Sequence, residues 1–543
     1  MLYRNIKGLF AYCFAILLIS SCAIIVAPTG GPKDITPPKV LGYSPENKSI
    51  HFKEHKIRIT FDEYIQLKDL NKQLIVSPPL KYLPQTIIKG KVIEILIKDT
   101  LRDNSTYTFN FGNAIIDNNE GNALKNFQYV VSTGDHIDSL SVSGHVQDAF
   151  THDPVKGSYV MLYADVSDSA PYKKPPTYIG LTDDQGNYRI ENISAGIYRT
   201  IAISNSQGDY LYHPYIEGIG FKSKLTEIQL HDTVNLNVFI EQEPKLKLLK
   251  AKAIDRGEIM LAFNKPSDTL SFKPLNLADS LKPTYTYLNY SSTGDTAFYW
   301  LNTPFIDSLR FVAYNNNRII DTAFVHTFPN NSAARKVKKP KPVKLKVMSN
   351  ARNGFDYHKP IYFGFGDPIL KYNMHKVTLT QGKDTVKFLP DTSGLPLTFS
   401  LKPITTLLSD SVYKLMLLPG AFTDMFGIST DTMKMNFNVL EETYFGKLKL
   451  DVKITPQGHY ILQLLDSKNN VSMQQLITGS QSVLFDALAP GTYRVRLIDD
   501  ANNNGVWDAG NFLKSLQPEK VYYYSDNLII RSNWDLAQAW QVK

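Results

Sequence analysis

Short runs in which apolar and polar residues alternate recur along most of the chain. Clear examples are KIRITFDEYI at residues 56–65, TYTFNFG at 106–112 and NFQYVVSTG at 126–134. A period of two places successive side chains on opposite faces, which is the pattern of a half-buried β-strand. Sustained helical periodicity is scarce, and only residues 64–74 indicate a helical turn. The pattern predicts an all-β fold of tandem β-sandwich domains.

The length of the chain limits how these strands can be grouped. Its 543 residues are too many for one core, and domains of roughly 100–150 residues imply four or five units. Hydrophobic residues make up 43% of the sequence, which excludes disorder over most of the chain. The net charge of +8 is not concentrated in basic clusters beside aromatic motifs, so we expect no nucleic-acid binding.

Both cysteines, Cys13 and Cys22, lie in the first 22 residues. Arg4 and Lys7 precede the apolar run LFAYCFAILLIS, which is typical of a signal peptide and too short for a comfortable membrane span. The residues before Cys22 read Ile-Ser-Ser. The N-terminus therefore predicts export, with a signal peptide at 1–21.

The sequence around Cys22 resembles the lipobox of bacterial lipoproteins, whose cysteine is acylated, for instance with palmitate, and becomes the first mature residue. The resemblance implies a lipoprotein attached to outer-membrane lipid through Cys22. A generic signal peptide with an incidental cysteine is the alternative. No other mature cysteine is present, and a free thiol in an oxidising compartment would be a liability, so acylation is favoured.

Residues 22–38 contain Pro28, Pro32, Pro37 and Pro38. Proline fixes φ and lacks an N–H donor, so this segment is expected to extend without joining a sheet. We expect a tether that holds the first sandwich away from the bilayer.

Two kinds of segment occur twice, in the same order. The matching ranges are 57–65 with 361–369, 105–122 with 411–428, and 190–199 with 485–494. Within the second match, Tyr107 aligns with Tyr413 and Asp117 with Asp424. The repeats predict a duplicated pair of domains.

The first kind of segment, with TFDEYI and IIDNNEGN, resembles the bacterial Ig-like domain of the SbsA kind. The second, with TDDQGNYRIENISAGIYR, is similar to the carboxypeptidase-regulatory or prealbumin-like sandwich. The leader PTGGPKDITPP before an Ig-like domain also resembles the N-terminus of Ig-like-domain outer-membrane lipoproteins. The predicted domains are Ig-like at 39–135, prealbumin-like at 139–242, Ig-like at 243–330, Ig-like at 345–440 and prealbumin-like at 441–543.

A basic linker is predicted at 331–344. Its segment RKVKKPKPVK, residues 335–344, carries six basic residues and two prolines without an acid. Such a segment is an extended connector whose charge keeps a hinge solvated. Contact with acidic lipid headgroups or an acidic partner is the alternative.

The loop DDANNNGVWDAGN, residues 499–511, copies the start of an EF-hand calcium loop, with oxygen ligands at alternate positions and a glycine at the sixth. The candidate calcium ligands are Asp500, Asn502, Asn504, the carbonyl of Val506, and Asp508. Position twelve is Asn511 instead of a bidentate Glu, so any site is expected to be weaker than an EF-hand. An Asx-rich hairpin loop that caps its own backbone is the alternative.

Two other polar loops are weaker candidates for a cation. The loop at 204–212 corresponds to the EF-hand-like loop but has Asp209 as its one acid, so no strong metal site is expected there. The DNNEGN loop at 117–122 allows a cation, although a structural turn is favoured.

Catalytic patterns do not emerge from the sequence. Acylation of Cys22 removes thiol chemistry, and no His-Glu-x-x-His zinc motif or Gly-x-Ser-x-Gly elbow is present. We therefore expect a non-enzymatic, lipid-anchored outer-membrane protein, in which a row of sandwiches serves as scaffold or accessory subunit of a barrel-assembly or secretion complex. A surface protein that binds carbohydrate or peptide and an unrecognised hydrolase are the alternatives. The sequence does not choose between the periplasmic and cell-surface faces.

Overall fold

The computed structural model describes residues 33–277, 282–302, 308–326, 344–409 and 411–542. Cys22, the predicted signal peptide and most of the tether and basic linker lie outside the described residues. Within them, strands dominate, and the predicted all-β fold of tandem sandwiches is confirmed. The domain boundaries stay predictions, so the sandwiches below are delimited by their strands.

Helices are few and short in the described part of the chain. They are α1 (Leu70–Gln73), within the predicted helical turn, α2 (Ala170–Lys173), and the 3-10 turns Met374–Lys376 and Glu442–Tyr444. None of these helices is long and apolar enough to cross a membrane.

The first sandwich spans residues 40–132. Its strands are β1 (Val40–Ser44), β2 (Lys56–Phe61), β3 (Ile65–Leu67), β4 (Ile75–Ser77), β5 (Gln85–Lys89), β6 (Val92–Leu96), β7 (Thr106–Asn110), β8 (Ile115–Asp117) and β9 (Gln128–Ser132). They form the sheets β1-β2-β6-β5, β4-β7-β9 and β3-β8. Ile57, Ile59 and Phe61 alternate with polar residues and are fully buried, as the period of two predicts.

The second sandwich spans residues 140–240. Its strands are β10 (Leu140–Asp148), β11 (Tyr159–Tyr163), β12 (Tyr178–Leu181), β13 (Asn187–Ile193), β14 (Gly196–Ser204), β15 (Gly218–Phe221), β16 (Thr226–Ile228), β17 (His231–Thr233) and β18 (Leu236–Ile240). They join in the order β12-β11-β14-β15-β18-β10-β13, with β16 beside β14 and β17 beside β10.

The third sandwich spans residues 248–326. Its strands are β19 (Leu248–Asp255), β20 (Glu258–Phe263), β21 (Leu270–Pro274), β22 (Thr286–Tyr290), β23 (Thr296–Leu301), β24 (Ser308–Asn315) and β25 (Arg318–His326). The sheets are β19-β20-β23-β22 and β21-β24-β25.

The fourth sandwich spans residues 347–438. Its strands are β26 (Val347–Ser349), β27 (Ile361–Phe365), β28 (Ile369–Tyr372), β29 (Val377–Gln381), β30 (Asp384–Thr385), β31 (Phe388–Asp391), β32 (Thr398–Pro403), β33 (Val412–Leu417), β34 (Phe422–Asp424) and β35 (Met433–Asn438). They form the sheets β26-β27-β32-β31, β30-β29-β33-β35 and β28-β34.

The fifth sandwich spans residues 446–541. Its strands are β36 (Gly446–Lys453), β37 (Tyr460–Leu465), β38 (Val471–Ile477), β39 (Gln481–Leu488), β40 (Gly491–Asp499), β41 (Val521–Tyr523), β42 (Leu528–Ile530) and β43 (Asp535–Gln541). The sheets are β39-β36-β43 and β38-β37-β40-β41, with β42 beside β40.

Residues that align in the sequence repeats make the same contacts in the first and fourth sandwiches. The buried hydroxyl of Tyr107 accepts a hydrogen bond from the backbone N–H of Arg102 at 2.8 Å. The hydroxyl of Tyr413 accepts one from Leu408, also at 2.8 Å. Each tyrosine therefore fixes the loop that leads into its own strand.

The five sandwiches do not form the simple row that the sequence analysis expected. One apolar cluster joins Ile75 of the first sandwich, Ile201 of the second and Phe512 of the fifth. The fourth and fifth also touch, since the His358 and Phe445 rings lie 4.9 Å apart. The expected arrangement in a row is wrong because loop side chains of the fifth sandwich bury apolar surface of the second. Local sequence patterns do not encode such a contact between distant segments.

Candidate functional site

The loop between β40 and β41 reaches from the fifth sandwich into the second. Asn511 and Leu516 exchange backbone hydrogen bonds of 2.7 and 2.9 Å, and the tight turn between them presents Phe512. The Phe512 ring is 1% exposed and lies 5.1 Å from the ring of Phe221 and 6.4 Å from that of Tyr212, measured between ring centroids. Aromatic rings at such separations attract each other beyond their burial of area. Phe512 is therefore an anchor between two sandwiches.

The Glu241 carboxylate completes this contact. Its Oε1 accepts a hydrogen bond from the Phe512 backbone N–H at 2.7 Å, and its Oε2 accepts one from the Tyr212 hydroxyl at 2.7 Å. Burial, followed by the hydrogen bond to Glu241, raises the pKa of Tyr212, so the phenol stays a donor. Glu241 is only 4% exposed, and a buried carboxylate is costly unless such donors satisfy it. The sequence gives no local signal for this role.

The second sandwich contributes a reciprocal anchor, Phe150. The Arg496 guanidinium lies 4.3 Å from the centroid of the Phe150 ring, and the Trp507 ring packs against the same side chain at 5.0 Å. Arg496 is oriented by two hydrogen bonds of 2.9 and 2.6 Å to Gln463 Oε1. The Tyr523 hydroxyl donates to the Phe150 carbonyl at 3.2 Å. The interface therefore combines a cation–π contact with oriented hydrogen bonds.

The calcium candidates Asp500, Asn502, Asn504 and Asp508 come together in the EF-hand-like loop. Asp500 is 1% exposed, and its two oxygens accept the backbone N–H groups of Asn504 and Gly505, each at 2.9 Å. Asn502 Oδ1 accepts from the Asn504 N–H at 3.1 Å. Asp508 Oδ2 accepts from Nδ2 of Asn502 at 2.5 Å and of Asn504 at 2.7 Å. These are the self-capping bonds of an Asx-rich loop.

The remaining candidate, Val506, donates its backbone N–H to Asn504 Oδ1 at 2.9 Å. Glu519, which the motif does not include, accepts the backbone N–H groups of Ala501 at 2.9 Å and Asp508 at 3.0 Å. Across the described residues, no group of three or more His, Cys, Asp or Glu side chains is placed to hold a metal ion. The hydrogen bonds of this loop are those of the Asx-loop alternative, and calcium binding stays a prediction.

The DNNEGN loop has the geometry of the favoured structural turn. Four backbone N–H groups, those of residues 119–122, donate to the carboxylate of Asp117 at 2.6–3.0 Å. Burial works to raise the pKa of Asp117, but these donors outweigh it and lower the pKa to about 2. In the fourth sandwich, Asp424 likewise accepts from Phe426 and Ile428 at 2.8 Å. The repeated aspartate organises a turn in both copies.

His213, close to the loop at 204–212, lies between two acids. Its ring nitrogens are 3.4 Å from Asp209 and from Glu217. Glu217 is fully buried and accepts the backbone N–H groups of Gln207 at 2.7 Å and His213 at 2.8 Å. The Glu217 carboxylate therefore holds this loop together through hydrogen bonds to its backbone.

The third and fourth sandwiches meet at a charged junction. Lys346 Nζ lies 2.8 Å from Asp255 Oδ2, and the Arg256 guanidinium lies 4.1 Å from the centroid of the Phe426 ring. Gly257 has a φ of +68°, and a Cβ there would lie 2.8 Å from Phe426 Cζ. Glycine permits this close approach because it has no side chain.

Two acids at this junction have raised pKa values. Burial, and then repulsion by Asp255 and Asp367, raises the pKa of Glu258 to about 7. Burial, and then repulsion by Asp424 and Asp255, raises the pKa of Asp367 to about 6. In both, loss of the proton places another negative charge among acids.

The stability of this junction should therefore fall as the pH rises. Glu258 and Asp367 bind protons more tightly when folded than when unfolded, so their contribution is complete below their unfolded pKa values and is lost as the pH rises towards 7. Glu258→Gln should flatten the fall in melting temperature between pH 5 and pH 8, with the exposed Glu120→Gln as control. Thermal unfolding followed by circular dichroism measures it, and an equally steep fall in Glu258→Gln would contradict the assignment.

Three solved structures have low similarity to this chain. The S-layer protein rSbsC(31-844) is 13% identical, with 90% of this chain and 67% of that chain covered and a TM-score of 0.14. BcpA, the major pilin subunit of Bacillus cereus, is 10% identical over 75% of this chain and 99% of its own, with a TM-score of 0.14. The Bacillus anthracis TIE protein is 9% identical over 95% of this chain and 76% of its own, with a TM-score of 0.16.

No curated protein matches the chain in sequence. The family model described as bacterial Ig-like domain matches residues 34–133, which contain all nine strands of the first sandwich. The expected resemblance to Ig-like domains is therefore supported for this part of the chain, and residues 34–133 form a bacterial Ig-like domain.

Proposed function

We propose that this protein is a non-enzymatic, lipid-anchored scaffold of the outer membrane and an accessory subunit of a barrel-assembly or secretion complex. The observation that supports this most is the contact between the second and fifth sandwiches. Phe512, Glu241 and Arg496 are all buried in joining sandwiches to one another. A chain held in this way presents its loops and strand edges in fixed positions, which suits binding rather than turnover.

Attachment to the membrane in this proposal depends on acylated Cys22 and on the tether at 22–38. Several acyl chains give firm anchoring, whereas a single chain is marginal. The proline-rich tether places the Ig-like domain at 34–133 close to the anchor along the chain. Outer-membrane lipid and protein subunits are the proposed partners.

Purification from crosslinked membranes in mild detergent tests the scaffold proposal. We expect one stoichiometric membrane complex, recovered in the same ratio from independent preparations. Recovery of the protein alone, with measurable affinity for glycans, would contradict it. The same preparation, assayed with ester, peptide and glycoside substrates, tests the expected lack of enzymatic activity.

A second candidate function is capture of a polar ligand such as a carbohydrate. A cleft of about 240 Å³ lies between the first and second sandwiches, and its lining is mostly polar. The residues that line it are Asn47, Lys48, Gln128, Val130, Ser139, Ser141, Arg189, Glu191 and Asn192. Glycan arrays compare the wild type with Arg189→Ala, and binding that this variant loses would favour ligand capture.

Calcium binding at the EF-hand-like loop is expected to be weak. Asn511 replaces the bidentate glutamate, and the oxygens of Asp500 already accept backbone hydrogen bonds. A dissociation constant of about 1 mM would stabilise the protein by only ~0.4 kcal/mol at 1 mM Ca²⁺. Isothermal titration of wild type and Asp500→Asn measures this, and micromolar affinity lost in the variant would overturn the Asx-loop alternative.

A further inference from the structure

Strands β12 and β38 occupy the same place in the two repeated sandwiches. In the second sandwich, β12 pairs with β11, which pairs with β14, the strand that carries Tyr198. In the fifth sandwich, β38 pairs with β37, which pairs with β40, the strand that carries the matching Tyr493. Counting from these tyrosines through the strand registers aligns Ile179 of β12 with Gln474 of β38. The two edges are therefore directly comparable.

The edge of the second sandwich is covered by the first. The backbone N–H of Ile179 donates to Ser77 Oγ of β4 at 3.1 Å, which satisfies an outward-facing donor of the edge strand. Beside it, Asn192 Nδ2 in β13 donates to Thr108 Oγ1 in β7 at 2.8 Å. Ile75 adds an aliphatic contact to the same cluster as Ile179. A β-sheet that presents small hydroxyl side chains thus closes this edge.

The corresponding edge of the fifth sandwich is exposed. In β38, five of seven residues are exposed, whereas three of the four in β12 are buried. Leu476 in β38 and Leu484 in β39 each have 59% of their surface exposed. In the part of the chain that the structure describes, no strand of another sandwich packs along β38 or β39.

Little in β38 protects it from pairing with a further strand. Its sequence, VSMQQLI, contains no charged residue and no proline, which natural proteins commonly place on exposed edges to block such pairing. A register irregularity occurs only towards its Val471 end. The side chain of Gln474 accepts from Gln463 Nε2 at 2.7 Å, which holds it against its own sheet. Gln474 aligns with Ile179, whose backbone N–H faces outward, so the backbone N–H of Gln474 faces outward too.

The matching sheets of the first and fourth sandwiches do not suit this edge. The β4-β7-β9 sheet already lies against the second sandwich. In the fourth sandwich, the position of Thr108 is taken by Lys414, because Tyr107 aligns with Tyr413, and Lys414 is exposed on β33. Burying an unpaired lysine against an uncharged strand is unfavourable. The matching sheets in the first and fourth sandwiches of a second copy are therefore poor occupants, and another protein suits the edge better.

We propose that β38 accepts an extended, uncharged segment of a partner protein, which adds to the sheet as a further strand. Main-chain hydrogen bonds to the outward N–H and C=O groups of β38 supply affinity, and an apolar side chain beside Leu476 supplies specificity. This inference rests on the proposed scaffold function and names the surface through which the scaffold holds its partner.

Hydrogen–deuterium exchange of β38 tests the proposal. The probe is the full-length protein in isolated membranes of the cells that make it, compared with the same protein purified in detergent. In membranes, the β38 amides should exchange about tenfold or more slowly than in the purified protein. The β12 amides, which are covered in both samples, serve as an internal reference.

Two variants separate strand addition from general effects. Leu476→Lys places a charge on the edge and should abolish the protection of β38, whereas Ile529→Lys, on β42 of the same sandwich and also 59% exposed, should keep it. Circular dichroism of the purified variants establishes that both fold. Protection that survives Leu476→Lys in a folded protein would overturn the proposal.

Three further outcomes distinguish strand addition by a partner protein from its alternatives. A stoichiometric membrane complex whose β38 exchanges as fast as in the purified protein would overturn strand addition and leave the scaffold function standing. A protein recovered alone from membranes would overturn both. Concentration-dependent protection of β38 in the purified protein would show that a second copy, and not another protein, occupies the edge.

Discussion

Replacement of Phe512 by alanine should separate the fifth sandwich from the second. The substitution removes a buried ring that packs against Phe221 and Tyr212 and leaves a cavity at the contact between the sandwiches. Substitutions of buried phenylalanine by alanine typically cost about 3–5 kcal/mol. The cost falls on the contact between sandwiches, so we expect the fifth to melt or become protease-sensitive before the rest.

Differential scanning calorimetry and limited proteolysis measure this effect. Leu513→Ala is the matched control, because Leu513 is the next residue and 61% of its surface is exposed. The control should unfold like the wild type. If Phe512→Ala also unfolds like the wild type and resists protease equally, Phe512 does not hold the two sandwiches together.

Replacement of Cys22 by serine should release the protein from the membrane. Serine has no thiol to acylate, and the proposed anchor is then lost entirely. Fractionation of cells should find Cys22→Ser in the soluble fraction and the wild type with the membranes. Cys13→Ser is the control, since the signal peptide predicted at 1–21 contains this residue and cleavage removes it. Retention of Cys22→Ser in the membrane would contradict lipid anchoring.

Local sequence patterns were sufficient to predict the fold class. A period of two places Ile57, Ile59 and Phe61 on one face, and all three are buried together. The repeats also predicted matching roles, since Tyr107 and Tyr413 make the same hydrogen bond within their own sandwiches. These features depend on neighbours close in the chain, which is why the sequence alone reveals them.

The contact between the second and fifth sandwiches was not predictable in the same way. Phe512 and Glu241 are distant in sequence, and each lies where local patterns indicate only a loop or a strand end. The expected row failed for this reason. Likewise, the EF-hand spacing identified the loop, but two of its backbone N–H groups donate to Glu519, which lies outside the motif.

The repeats also concealed a difference between the two copies. Aligned by their tyrosines, β12 and β38 look equivalent, yet one is covered and the other exposed. The difference arises in their surroundings, since Ser77 and Thr108 of the first sandwich have no counterpart beside the fifth in the described residues. Only tertiary structure shows which copy retains a free edge.

Chemical crosslinking tests most directly whether the fifth sandwich packs against the second, as the scaffold proposal requires. Gln517 Nε2 lies 3.3 Å from Ser223 Oγ, so cysteines at these positions are within reach of a short bis-maleimide. With Cys22 acylated, the introduced cysteines are the free thiols expected in the mature chain. We predict near-complete intramolecular crosslinking of Ser223→Cys/Gln517→Cys on isolated membranes and none in either single variant. Modification of both thiols without a crosslink would contradict the account.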